Sequence, residues 1–120
     1  EMDTAAKIHK VSRLDPTVMD AKTVVRMATI DAARVLGLDK QTGSLEVGKK
    51  ADLIVVDTQK PHLTPMYSIY SHLVYAAGGG DVAAAMINGR LVMKDRALFS
   101  MDVEKVMADV NQIADEVRNS

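Results

Sequence analysis

One fifteen-residue stretch, GSLEVGKKADLIVVD at positions 43–57, constrains the fold of this chain more than any other. It ends in a continuous apolar run, Leu53–Val56, which Asp52 and Asp57 bound. Such a run is typical of a strand covered on both faces, because a strand with one solvated face alternates apolar and polar residues. Two glycines permit the turns before the strand, and Lys49-Lys50 is predicted to form a solvent-facing bend.

The residues before position 43 predict helices. An apolar stripe at Met2, Ala5, Ala6 and His9 predicts a helix that starts almost at once, with no capping residue before it. We therefore expect the chain to be a piece of a longer polypeptide. The alternative, an initiator methionine removed before Glu1, is less favoured because a large residue at that position generally blocks the removal.

Two further helical segments follow a turn at Asp15-Pro16. Asp20 is predicted to cap the first and Thr29 the second, which Gly37 ends in a left-handed conformation. Their apolar faces consist mainly of small residues: Ala21, Val24, Val25 and Ala28 in the first, Ala32, Ala33 and Leu36 in the second. We expect these alanine stripes to pack on a larger body and, without it, to form an exposed apolar patch that drives association.

Beyond position 57 the pattern is mixed. A proline-containing loop at 59–65 precedes a short helix at 68–76 and a strand at 82–87. Asn88-Gly89 is a strong hairpin signal leading into the next strand, and Lys94-Asp95-Arg96 is a second turn. Ser100 or Asp102 is then predicted to cap a final helix. Its apolar stripe contains Val103, Val106, Met107, Val110, Ile113, Ala114 and Val117.

Composition excludes several classes of protein. The net charge is −1 with the two signs interspersed, which argues against a nucleic-acid-binding or membrane-surface protein. No apolar run approaches the roughly 20 residues of a membrane helix. The absence of cysteine excludes disulfides and fits a reducing compartment, so we expect a cytoplasmic location.

Three histidines, His9, His62 and His72, are the residues best suited to bind a metal or shuttle a proton. None stands in an H-x-H or H-E-x-x-H arrangement, so the spacing of a histidine metal site is missing. We predict structural roles for all three. His72 is expected to have a specific buried partner, because it lies between Ser71 and the apolar pair Leu73-Val74.

Two other patterns suggest chemistry that the chain does not support. Gly78-Gly79-Gly80-Asp81 could be mistaken for a phosphate-binding loop, but a strand is predicted after it where such a loop needs a helix N-terminus. Asp52 and Asp57 would lie on opposite faces about 17 Å apart, beyond the roughly 5–10 Å of a paired-carboxylate site. The residues alone predict no catalytic residue and no metal ligand, and leave any substrate-binding residue unknown.

Positions 43–57 closely resemble the signature of the amidohydrolase superfamily: a glycine, an aliphatic pair around a variable residue, a second glycine, two loosely specified residues, Ala-Asp and an apolar strand. Segments 27–38 and 82–95 are similar to the helical pair and the last hairpin of these enzymes. The resemblance implies an α+β C-terminal fragment of a metal-dependent (β/α)8-barrel hydrolase. It assigns terminal barrel helices and their connection to 1–42, part of a composite β-sandwich to 43–100, and a closing helix to 101–120.

Within the superfamily, segments 1–38 and 61–90 look most like the deaminases of 5-methylthioadenosine and S-adenosylhomocysteine, whose pattern triazine and other chlorohydrolases share. Two positions depart from it: Asp95-Arg96 stands where many members have Asp-Gly, and Asp31 replaces a frequent Asn or Gly. The resemblance implies a parent enzyme with a divalent metal, zinc or iron, and a small-molecule nucleoside substrate. The family's last metal ligand, an aspartate, normally precedes the equivalent of Glu1-Met2-Asp3, so no catalytic residue carries over.

These inferences define one main hypothesis and its alternatives. We expect the C-terminal part of a hydrolytic deaminase of an adenosine-type nucleoside, inactive by itself because its metal ligands lie upstream, and a homo-oligomer. A chlorohydrolase or another aminohydrolase, such as a guanine or cytosine deaminase, is an alternative within the superfamily. A stand-alone, non-catalytic interaction module is the alternative outside it.

Overall fold

The computed structural model describes residues 1–119, in which three helices precede the first strand and three consecutive strands precede the last helix. The chain is therefore α+β. Single 3-10 turns at Pro61–Leu63 and Gly79–Asp81 interrupt the loops around the fourth helix. In chain order the elements are α1 (Met2–Arg13), α2 (Ala21–Arg26), α3 (Ala32–Val35), β1 (Leu53–Val56), α4 (Ile69–Tyr75), β2 (Val82–Ile87), β3 (Arg90–Lys94), β4 (Ala97–Leu98) and α5 (Val103–Arg118).

Side-chain hydrogen bonds fix the connection between α1 and α2. The Lys10 ammonium donates to the carbonyl oxygens of Pro16, at 2.8 Å, and Val18, at 2.6 Å. Asp15 forms the predicted turn by accepting from the Thr17 N–H at 2.8 Å. The predicted cap at Asp20 is confirmed, because its carboxylate accepts from the first backbone N–H groups of α2.

The helical core forms where α1, α2 and α4 meet. Ala6, Val24 and Val74 are buried against one another, with exposures of 0%, 2% and 3%. Met2, Met19, Ala21 and Val25 pack against this cluster. The expectation that the α2 stripe would form an exposed patch is wrong for all but Ala28, because α1 and α4 cover this stripe.

The junction between α2 and α3 differs from the prediction. Thr29 caps no helix. It lies at a kink within Met27–Asp31, with φ −127° and ψ −105°, and its hydroxyl donates back to the Val25 carbonyl at 2.7 Å. These backbone angles are not helical, so Thr29 forms a kink between two helical segments although its side chain does not cap the second one. In the second predicted stripe, Ala32 and Leu36 are exposed as expected, whereas Ala33 is buried at 5% exposure and departs from the prediction of an exposed patch.

The four strands form an antiparallel sheet in the order β1-β2-β3-β4. Leu53 pairs with Met86 at one end of β1, and Met86 also pairs with Leu91 of β3. The predicted hairpin is confirmed: Asn88 and Gly89 have φ values of 50° and 76°, as a two-residue turn between right-twisted strands requires.

The prediction that β1 is covered on both faces is wrong for the described residues. β1 forms one edge of the sheet, and Ile54 and Val55 expose 61% and 51% of their surface. The apolar run correctly identifies the strand and its bounds. It does not show what covers the strand, because no other described element packs over both of these side chains.

Helix α5 begins at the predicted cap. The Asp102 carboxylate accepts from the Lys105 N–H at 3.0 Å. No residue described in α5 is buried, although its apolar stripe is as regular as the sequence predicts. Across residues 1–119, none of the helices has the length and apolar character needed to span a bilayer.

Candidate functional site

Asp52, immediately before β1, binds both the β2–β3 turn and the loop that precedes β1. Its carboxylate accepts the backbone N–H of Asn88, in the β2–β3 turn, and the Thr42 hydroxyl at 2.8 Å. Next to it, the Ala51 carbonyl accepts the N–H of Gly89 at 3.0 Å. The acid of the Ala-Asp pair therefore fastens the start of β1 to the hairpin and to the loop before it.

These hydrogen bonds also set the charge state of Asp52. The N–H of Asn88, followed by the Thr42 hydroxyl, lowers the pKa of the carboxyl below its ordinary value. A carboxylate held in its charged form by fixed donors has no proton to give near neutral pH. The arrangement therefore suits a structural anchor better than a general acid.

The Lys49-Lys50 bend is only partly solvated. The side chain of Lys49 is 12% exposed, so its prediction as a solvent-facing residue is wrong. Its ammonium donates to the Ser44 hydroxyl at 2.6 Å and lies 3.1 Å from the Glu46 carboxylate. The Ser44 hydroxyl and then Lys49 lower the pKa of Glu46. The contacts of Lys49 with Ser44 and Glu46 link the two ends of this turn, while Lys50 is exposed.

Gly43 brings this turn into contact with the helices. Its φ of +89° lies in the left-handed region, and a Cβ added there would come within 2.6 Å of the Ala33 Cβ. The same Cβ would also lie 3.0 Å from the Ile30 Cα. The loop before β1 thus packs directly on the bend between α2 and α3, with room for glycine only.

A second polar cluster surrounds Asp81, which is only 7% exposed. Its carboxylate accepts the Gly78 N–H at 2.8 Å and lies 3.0 Å from the His62 Nε2. Gly78 and then His62 lower the pKa of Asp81. The triple-glycine connector thus directs an N–H group at a side chain of the same chain, while Arg96 donates to the carbonyls of Gly79 and Gly80.

The remaining histidines contact backbone or solvent. His72 lies with Nδ1 2.8 Å from the Ser68 carbonyl and Nε2 3.1 Å from the Pro65 carbonyl, so its partners are backbone groups of the turn before α4. His9 is exposed on α1. Within residues 1–119, no three side chains of the metal-binding types come together. A catalytic divalent metal therefore does not fit the described residues.

An apolar cavity of about 220 Å³ lies between β1, α4 and the proline loop. Its polar lining consists of Thr58 and His72, and the ring nitrogens of His72 are already directed at carbonyl oxygens. No nucleophile and base are paired there. The other lining residues are Val56, Leu63, Met66, Ile69, Leu73 and Ala77.

Sequence reasoning identified Asp52 as the residue that precedes β1 and excluded it from a carboxylate pair, but it did not find the anchoring role or the partners of this side chain. Asn88 lies 36 positions away, and the Asn-Gly signal identifies the turn without showing where its N–H points. Asp81 likewise stands next to a glycine run with no local sign that His62, 19 positions earlier, will contact it. Neither arrangement has a short-range signature that the sequence could have shown.

Residues 1–92 match the Amidohydrolase family. The 5-methylthioadenosine/S-adenosylhomocysteine deaminase 1 of Syntrophus aciditrophicus is 58% identical over 120 residues, which cover 100% of this chain and 27% of that protein. The 5'-deoxyadenosine deaminase of Methanosarcina barkeri is 47% identical over 117 residues, 98% of this chain and 27% of its own length. The chain thus spans about a quarter of the length of these relatives.

Solved structures also show similarity to deaminases and related hydrolases. A zinc-bound adenosine deaminase from Xanthomonas campestris superposes with a TM-score of 0.94 at 38% identity, over 100% of this chain and 27% of that one. A zinc complex of atrazine chlorohydrolase from Arthrobacter aurescens superposes with a TM-score of 0.81 at 20% identity, over 92% of this chain and 25% of that one. At that identity the second structure supports the fold alone.

Proposed function

The chain belongs to the amidohydrolase family, and we propose that it is one part of a metal-dependent hydrolase that deaminates an adenosine-type nucleoside. The observation that carries the proposal is its identity of 58%, along its whole length, with a 5-methylthioadenosine/S-adenosylhomocysteine deaminase. The 5'-deoxyadenosine deaminase relative also supports a 5'-modified adenosine as substrate.

In this proposal the chain supplies structure and the chemistry lies elsewhere. The zinc-bound adenosine deaminase supports a divalent metal, zinc or iron, in the whole enzyme. Because residues 1–119 bring no metal-binding group of three side chains together, its ligands would belong to the part outside this chain. Residues 1–42 would be terminal barrel helices and their connection, 43–100 part of a composite sandwich, and 101–120 the closing helix.

The burial pattern favours this proposal over a stand-alone interaction module. Five hydrophobic residues are buried among those described: Ala6, Val24, Ala33, Leu63 and Val74. A domain of this length would ordinarily bury a much larger core, since buried apolar surface is the main force that stabilises a fold.

Exposed apolar surface is also the reason to propose self-association of the isolated chain, and a stable monomer in light scattering at high concentration would contradict it. A cytoplasmic location remains a prediction.

The test compares the isolated chain with a full-length version, each supplied with zinc or iron. Ammonia release is measured with 5-methylthioadenosine, S-adenosylhomocysteine, 5'-deoxyadenosine and adenosine, and chloride release with a chlorotriazine as the control for the alternative reaction. We expect ammonia from the full-length protein and none from the isolated chain. Metal-dependent ammonia release by the 120 residues alone would refute their inactivity, and chloride release without ammonia would refute the deaminase.

A further inference from the structure

The turn between β2 and β3 contains an asparagine followed directly by a glycine. Asn88 and Gly89 are both exposed, whereas the other asparagines of the chain, Asn111 and Asn119, precede a glutamine and a serine. The side-chain amide of asparagine is an electrophile that the backbone nitrogen of the next residue can attack. Because glycine has no Cβ to hinder this approach, an exposed Asn-Gly pair is the arrangement that reacts most readily.

The reaction in question has two balanced steps. Solvent base removes the N–H proton of Gly89, the nitrogen forms a bond to the Asn88 Cγ, and the Cγ–Nδ2 bond breaks so that the amide nitrogen leaves as ammonia, protonated by water. Water then adds to either carbonyl of the resulting cyclic imide. Opening on one side gives aspartate, and opening on the other gives isoaspartate, in which the main chain runs through the side-chain carbons. Nothing is oxidised or reduced.

Contacts from the start of β1 restrain both reacting residues. The Gly89 N–H, which must lose its proton, donates to the Ala51 carbonyl at 3.0 Å. The Asn88 N–H donates to the Asp52 carboxylate, which also accepts the Thr42 hydroxyl at 2.8 Å. A backbone N–H engaged in such a bond reacts with solvent base only when local opening releases it, as in amide hydrogen exchange. The folded chain therefore holds the attacking nitrogen in an unreactive state.

We propose that Asn88 is a site of spontaneous deamidation whose rate is controlled by the hydrogen bonds from the turn to Ala51 and Asp52. The reaction needs only water and base, so this inference is independent of the proposed deaminase activity. Either product adds a carboxylate at position 88, close to the charged carboxylate of Asp52, and like charges repel. Isoaspartate also lengthens the backbone of a two-residue turn that fixes the pairing of β2 with β3. Deamidation thus weakens the same contacts that restrain it.

The experiment follows the intact 120-residue chain at mildly alkaline pH without denaturant. Peptide mapping by mass spectrometry, with fragmentation that distinguishes aspartate from isoaspartate, measures the conversion of Asn88, and Asn111 within α5 is the internal control. A synthetic peptide of residues 82–95 gives the rate in the absence of Ala51 and Asp52. Hydrogen exchange of the Gly89 N–H is measured in the chain and in the peptide under the same conditions.

Two variants test which contacts control the rate. Asp52→Ala removes the acceptor of the Asn88 N–H. Asp20→Ala is the matched control, because the Asp20 carboxylate likewise accepts backbone N–H groups and a threonine hydroxyl, but at the start of α2. We expect Asp52→Ala to deamidate at least about tenfold faster than wild type, since a hydrogen bond to a charged acceptor opposes opening of the turn. Asp20→Ala should react at the wild-type rate.

The wild-type chain provides a second test that does not depend on whether Asp52→Ala folds. Its deamidation should be slower than that of the peptide by the same factor as its exchange at Gly89, because both reactions require the same opening. Equal deamidation in chain and peptide, an unreactive peptide, or a chain that exchanges at Gly89 without deamidating would each overturn the proposal. Equal acceleration by the two substitutions would also overturn it, since global unfolding would then expose the site.

Discussion

Replacing Gly43 with alanine should destabilise the chain more than the same change at Gly48, the other glycine of the segment before β1. The new Cβ would approach the Ala33 Cβ to 2.6 Å, a separation that real Cβ contacts essentially never show. It would also lie 3.0 Å from the Ile30 Cα and 3.2 Å from the Thr29 carbonyl oxygen. Two of these three atoms are backbone, so the helix bend itself would have to shift.

The magnitude follows from two costs and one offset. Holding alanine at a φ of +89° costs roughly 1–2 kcal/mol, and forcing an extra carbon into a packed contact costs about 1–3 kcal/mol. The smaller entropy of the unfolded chain with alanine returns about 0.4–1 kcal/mol. We therefore expect the free energy of unfolding to fall by about 2–4 kcal/mol, a large fraction of what an ordinary small domain has.

Gly48 provides the matched control. Its φ is +93°, but a Cβ there meets nothing within 4 Å, so Gly48→Ala should lose only the conformational cost of about 1–2 kcal/mol less the same entropic offset of about 0.4–1 kcal/mol, roughly 0–1.5 kcal/mol in all. Urea unfolding followed by far-UV circular dichroism measures both variants. Ala33→Gly should recover part of the steric loss when combined with Gly43→Ala, which a double-mutant cycle detects. Equal destabilisation at positions 43 and 48, or no coupling to Ala33, would refute the steric argument.

Three further changes test other contacts. Asp52→Asn should lower the free energy of unfolding at neutral pH, and its difference from wild type should shrink in acid. The Asn88 N–H holds the folded-state pKa of Asp52 below its unfolded value of about 3.9, so this stabilisation is present above that pH and is lost as the pH falls through the folded-state pKa. Urea titrations from pH 7 to pH 3 that show a constant difference would contradict this. Leu63→Ala, at a side chain only 1% exposed, should cost about 2–5 kcal/mol in the same unfolding assay, and a loss below 1 kcal/mol would show that the site collapses around the cavity. Asp102→Ala should reduce the helical circular dichroism of α5 and cost about 0.5–2 kcal/mol, whereas Ser100→Ala should have no effect; the reverse order would mean that Ser100 is the cap.

Local patterns predicted the elements well where one or two residues decide the backbone. The β-branched run identified β1 at its observed bounds, and Asn88-Gly89 identified the hairpin, because left-handed φ values are a property of those two residues. Asp20 similarly identified the start of α2. Thr29 failed as a cap although the backbone kinks there, because its hydroxyl is directed back at the Val25 carbonyl one turn earlier and not at the N–H groups of the next helix.

Burial was predicted less well than secondary structure. The α2 stripe was expected to be exposed, yet α4, some 45 residues further along the chain, covers Val24. β1 was expected to be covered, yet Ile54 and Val55 are exposed among the described residues. An apolar pattern shows which face of a helix or strand is suited to burial, and only the three-dimensional arrangement shows whether another element covers that face.

The sequence by itself determined the order of helices and strands, the family to which positions 43–57 point, and the lack of any histidine spacing suited to a metal. These are properties of neighbouring residues, whose backbone preferences and spacings act over a few positions. Only the tertiary structure decided that Asp52 anchors the hairpin, that Lys49 is enclosed, that His62 contacts Asp81 and that none of the described residues of α5 is buried. Each of these depends on atoms brought together from distant parts of the chain, and no local preference encodes such a distance.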